Sequence, residues 1–144
     1  MTINAIQDQI IDEFEILAED RESTIFYIMD LGQNLAEMKE EDKVDRNLIK
    51  GCQSKVWLTS GVTDGKIQFH ADSNTDITKG LISLLIRVFN GQEPDNIVNA
   101  DLYFIEQIGM NQMIGSQRSN GFASMIKQMK LFALALGKLE GETK

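Results

Sequence analysis

The segment Lys50-Gly51-Cys52-Gln53-Ser54-Lys55-Val56-Trp57 holds the only cysteine and the only tryptophan of a 144-residue chain. A thiol can act as a nucleophile or sulfur carrier without a cofactor, and its reactive form is the thiolate. Gly51 removes bulk beside Cys52, while Lys50 and Lys55 offer positive potential that favours a thiolate. The competing reading is a small buried hydrophobe, a common fate of a free cysteine, and the residues alone leave both open. Cysteine hydrolases need a histidine base oriented by a third group. His70 is the only histidine and stands two residues before Asp72, so a Cys52, His70, Asp72 set is geometrically conceivable. Thiol-to-sulfur exchange asks for less: a thiolate, an accessible sulfur to attack and a partner surface.

Composition narrows the choice. One cysteine closes no internal disulfide, which fits a reducing compartment. With one histidine beside it, a zinc or iron-sulfur cage is not expected, since either needs several thiolates or imidazoles. The excess of 22 acidic over 14 basic residues, with a formal charge of -8, argues against nucleic acid and anionic membranes. Proteins or small molecules are the expected partners. No apolar run approaches the ~20 residues that span a bilayer, and the N-terminus lacks a signal-peptide pattern, so a cytoplasmic protein is expected.

The elements that must position the cysteine follow from periodicity. Ile3, Ile6, Ile10, Phe14 and Leu17 predict an amphipathic helix from about Asn4 to Ala18, and Ser23 is a reasonable cap for a second carrying Ile25, Ile28, Met29, Gly32 and Leu35 on one face. Between Ala36 and Lys50 charge dominates and reads as a solvated loop leading to Cys52. Val56 and Leu58 then open a strand, Gly61 to Gly65 supplies a turn, and Ile67, Phe69 and Ala71 line one face of a returning strand. Such a hairpin would bring Cys52 and Asp72 together at its open end. A nearly all-apolar helix is expected from Asp76 to Asn90, a short helix or extended piece within residues 97–115, and a core-facing helix from Asn120 to Leu139. Together these predict one α+β domain over residues 1–144, a small antiparallel sheet covered by helices.

Three separated motifs, in one order, then point to a family. Gly51-Cys52-Gln53-Ser54-Lys55-Val56-Trp57, Ala71-Asp72-Ser73 followed by Lys79-Gly80-Leu81-Ile82, and Arg118-Ser119-Asn120-Gly121-Phe122 resemble the SufE family of sulfur acceptors, as does Tyr27-Ile28-Met29-Asp30-Leu31-Gly32. The resemblance implies a SufE/IscU-like fold. It further implies that Cys52 takes sulfur from the persulfide of a SufS-like cysteine desulfurase, stimulates that enzyme and passes the sulfur to a SufBCD-like iron-sulfur scaffold. By this reading the chain is not a stand-alone enzyme, needs no cofactor or metal of its own, and leaves pyridoxal phosphate to the desulfurase. Asp72 and Arg118 carry over as motif positions, the former holding the cysteine loop or simply serving as a turn carboxylate, the latter favouring a thiolate or meeting a partner. Gly51, Gln53, Ser54 and Lys55 carry over as loop-shaping residues.

The match departs from the family pattern at three places. No proline precedes Arg118 within Ile114-Gly115-Ser116-Gln117, Asn74 stands where many members have aspartate, and His70 lies outside the pattern and receives no catalytic role. Two alternatives stay open: a non-catalytic regulator of a desulfurase, and an IscU-type cluster scaffold, the second disfavoured by the single cysteine. A carrier must shield its persulfide, so the cysteine loop is expected to pack over the sheet when free and swing outward on docking.

Overall fold

The computed structural model describes residues 1–17 and 20–142, with side chains to residue 139. Helix α1, Ile3–Glu15, is capped by Thr2, whose hydroxyl accepts from the Ala5 amide at 3.1 Å, and it buries Ile3, Ile10 and Phe14. Ala18, the expected end of this helix, lies outside the described residues. Helix α2, Arg21–Gln33, starts one turn earlier than Ser23 suggests. Asp20 is its cap, accepting from the Ser23 amide at 3.1 Å, because a carboxylate three residues ahead out-competes a hydroxyl for the free amides of a first turn.

The hairpin pairs β1, Val56–Thr63, with β2, Lys66–Ser73, in the register Val56 to Ser73 and Thr63 to Lys66. Its turn is narrower than the five residues from Gly61 to Gly65. Only Asp64 and Gly65 take positive φ, 56° and 78°, which is what a two-residue hairpin connection requires, so Gly61 and Val62 stay in the ladder. Ile67, Phe69 and Ala71 turn inward as expected. Against this face packs α3, Asp76–Phe89, burying Leu81, Ile82, Leu84, Leu85, Val88 and Phe89.

Helix α2 crosses α3 with backbone nearly on backbone. A Cβ on Gly80 would overlap the Ile28 carbonyl, so this crossing exists only because that position has no side chain. The Arg87 guanidinium closes the other flank, donating to both Glu13 oxygens of α1 at 2.7 and 3.0 Å. Two short helices, α4 at Pro94–Val98 and α5 at Phe104–Gln107, resolve part of the ambiguous stretch. The remainder joins α6, Met110–Glu142, which is broken at Gly115 (φ 82°, ψ 166°) and begins well before Asn120. It buries Met110, Ile114, Phe122, Met125, Met129 and Ala133.

Residues 36–50 are less free than their charge implies. Met38 is buried, two single turns form at Glu40–Asp42 and Asp45–Asn47, and Leu48 bridges to Trp57 beside β1. The architecture is thus a two-stranded antiparallel sheet covered by helices. Among the described residues no helix is long and apolar enough to cross a membrane.

Candidate functional site

Cys52 sits in a tight loop whose base is closed by backbone pairing. The Ile49 amide donates to the Val56 carbonyl at 2.9 Å. The Lys55 amide donates to Asn74 Oδ1 at 3.0 Å, and the Asn74 amide returns a bond to the Lys55 carbonyl at 3.3 Å. Between these ties the loop lies flat on α6. Gly51 holds φ at 93°, where other residues strain, and a Cβ there would come within 2.9 Å of Ser124 Oγ. One turn earlier on α6, Gly121 leaves the space that Cys52 fills: a Cβ on Gly121 would stand 3.4 Å from both the Cys52 Cα and its sulfur.

The thiol is half-buried and donates to the Gly121 carbonyl, Sγ to oxygen 3.5 Å. Burial pushes its pKa above the ordinary thiol value. Of the two readings left open, the lysine potential that favours a thiolate does not govern the group: both Lys50 and Lys55 side chains are exposed, and desolvation raises the thiol. A carbonyl oxygen facing the sulfur acts in the same direction, since it accepts a proton and repels an anion. Beside the sulfur lies a cavity of about 20 Å³, walled by Ser54, Thr78, Leu81, Phe122 and Met125 and rimmed by Gln53, Gln117 and Arg118. That volume accommodates roughly one water-sized atom.

Thr78 belongs to a closed set of three hydroxyls at the start of α3. Ser54 and Thr75 are 3.1 Å apart, Thr75 donates to Thr78 at 2.8 Å, and Thr78 to Ser54 at 3.4 Å. They fasten the residue two after Cys52 to α3 and fill their own bonding needs in a buried corner.

The other expected site residues fall into three places. Arg118 borders the Cys52 cavity, exposed, and makes no hydrogen bond or ion pair among the described residues. Asp72 does not face Cys52. It lies opposite Trp57, one pair inside the hairpin end, because the strand begins at Val56 and the cysteine loop turns away toward α6. Its buried carboxylate instead receives Lys43 at 3.1 Å, with Lys79 at 3.8 Å, and accepts from the Ser73 amide at 2.8 Å. The Asp72 carboxylate, and after it Glu40, holds the Lys43 ammonium above the usual lysine range. The pair nails the charged segment before the cysteine to the sheet, a support one step removed from the thiol. His70 is exposed opposite Thr59 and outside the cysteine cavity, so no triad is assembled.

Residues 8–133, which include every part of this site, match the SufE family, described as an Fe-S metabolism associated domain. The chain belongs to the SufE family. SufE-like proteins related to it include one from Rhizobium meliloti, 36% identical over 128 residues, 85% of this chain and 91% of that one. Another, from Synechocystis, is 39% identical over 113 residues, 77% of this chain and 71% of its own. In fold it is similar to the solution structure of a hypothetical protein from Thermus thermophilus, with a TM-score of 0.75, 14% identity, and 91% and 95% of the two chains covered. Gly121 and Thr78 stand beside Cys52, and the sequence assigned neither a role. Gly121 carried a signal, a glycine in the first turn of an expected core-facing helix, which is compatible with close approach of another backbone.

Proposed function

We propose that this SufE-family protein is a sulfur acceptor and carrier for a cysteine desulfurase, with Cys52 as the carrying residue. The observation that carries the reading is the half-buried Cys52 thiol beside a cavity of about one atom's size, on a loop closed by a few hydrogen bonds. In that arrangement the thiol is protonated and slow to react with small oxidants. Reaction therefore requires the loop to leave α6, and docking of the donor supplies the occasion.

Once released, Cys52 loses its proton to solvent or to a base on the donor. Its thiolate attacks the terminal sulfur of the donor's cysteine persulfide. A sulfur–sulfur bond forms at Cys52, the donor's own breaks, and the donor cysteine leaves as a thiolate; no external oxidant or reductant is consumed. Return of the loop places the added sulfur in the cavity, out of solvent. An acceptor thiolate, in an iron-sulfur scaffold by this reading, then repeats the exchange. Arg118, exposed at the cavity rim, is positioned to attract an approaching persulfide anion.

Mass spectrometry after incubation with a desulfurase and free cysteine tests the proposal. The protein gains one or more sulfur atoms confined to Cys52, and Cys52→Ser abolishes both the gain and the stimulation of turnover while still binding the desulfurase. A serine variant that stimulates normally would overturn the carrier mechanism in favour of a regulator.

A further inference from the structure

Next to the cysteine loop runs a groove of about 570 Å³ between residues 46–50 and α6. Its charge is opposite to that of the molecule. Arg46, Lys50 and Lys127 line it and no acidic residue does, in a chain with 22 acidic and 14 basic side chains. All three cations are outside the core and none is ion-paired among the described residues, whereas Lys43, Lys79 and Arg87 are. The groove also has an apolar side formed with Leu131 and Phe132, and Leu131 is 47% exposed although it is a large aliphatic residue.

Resting on the sulfur-carrier reading, we propose that this groove docks the sulfur donor, through an acidic segment of the donor that carries an apolar anchor residue. Charge complementarity selects the acidic segment: three cations without an ion-pair partner among the described residues attract an anionic chain and repel a cationic one. Leu131 and Phe132 select the anchor, since an apolar contact shielded by a polar rim is how such interfaces gain affinity. The donor is the occupant because the walls of the groove adjoin the segment that has to move before Cys52 receives sulfur. In the closed loop the Cys52 thiol is half-buried and bonded to the Gly121 carbonyl, so sulfur reaches it once this segment lifts. One wall of the groove is residues 46–50, which run directly into Gly51 and Cys52, and Ser124 on the opposite wall is the residue that Gly51 rests on. A chain seated there bears on the segment that must lift for Cys52 to be reached.

The test titrates the desulfurase that loads Cys52 with wild type, with Arg46→Glu/Lys127→Glu, and with Lys66→Glu/Lys138→Glu as a charge-matched control outside the groove. The groove reversal raises the half-saturating concentration at least tenfold, leaves maximal stimulation unchanged and flattens its dependence on salt, while the control stays near wild type. Arg46→Ala/Lys127→Ala shifts half-saturation in the same direction by a smaller factor. Three results overturn the inference: reversal that titrates like the control, a lowered maximum at unchanged half-saturation, or self-association of the chain that the reversal removes, which gives the groove to a second copy. If the wild type itself gains no sulfur on Cys52, the carrier reading fails and this inference falls with it. Sulfur gain that is insensitive to the groove variants removes the inference alone.

Discussion

Gly121→Ala separates stability from function, because the same methyl group has opposite consequences for the two. Position 121 is helical, so replacing glycine by alanine removes about 0.5–1 kcal/mol of backbone entropy cost. The new Cβ would stand 3.4 Å from the Cys52 sulfur and Cα, an ordinary contact distance, and nothing nearer offsets the gain. A stabilisation of about 1 kcal/mol corresponds to roughly 2–4 °C in melting temperature for a chain of this size. The methyl, however, occupies the space beside Cys52, where the cavity of about 20 Å³ has no room to spare. An added sulfur must then over-pack the closed loop at about 1–3 kcal/mol, which favours the open state of the persulfide roughly 5- to 150-fold. The assay loads both proteins with sulfur, removes the donor, adds cyanide and follows the loss of the added sulfur by mass spectrometry. Faster loss from a variant that melts higher is the expected pair of results. Equal rates of loss would show that the added sulfur does not use this cavity, and a lower melting temperature would refute the contact geometry.

Burial of the Cys52 thiol makes stability depend on pH in a defined direction. Its folded pKa is raised, so its contribution is complete below the ordinary thiol value of about 8.5 and is lost as pH rises through the raised value. Urea denaturation over that alkaline range should show a decline that Cys52→Ala flattens, and alkylation of folded Cys52 should have a midpoint above that of the unfolded chain. Asn74→Ala removes the side-chain acceptor for the Lys55 amide, a bond worth about 1 kcal/mol, and should speed alkylation of Cys52 up to about fivefold. An unchanged rate would place the hinge of the loop elsewhere.

The hairpin and α3 were legible because their signals are local. Alternating Ile67, Phe69 and Ala71, and the run from Leu81 to Phe89, specify their own elements before any tertiary contact is known. Cys52 was legible from its isolation and its neighbours. Its environment was not: the charge of its neighbouring lysines points to a thiolate, and only the arrival of α6, a helix distant in sequence, shows burial deciding the matter. Asp72 illustrates the same limit, since hairpin topology fixes which strand ends meet but not where a loop goes after leaving the last pair. Residues 36–50 read as solvated on composition, yet a single buried Met38 and the Lys43–Asp72 pair hold them down, and neither contact has a sequence period. Likewise the break of α6 at Gly115 falls in the stretch of residues 97–115 whose periodicity leaves helix and extended chain both open.

Cys52 and the Gly121 carbonyl that receives its proton are 69 residues apart. During synthesis the thiol therefore emerges well before its shelter exists. At about 5–20 residues per second, the interval is on the order of 3–14 s, during which Cys52 is an ordinary, unburied thiol. Desulfurase action on a nascent chain would meet no closed loop, and neither would a stray oxidant. If Cys52 is the carrying residue, as proposed, its most vulnerable moment is its own translation, and the arrival of Gly121 on α6 ends it.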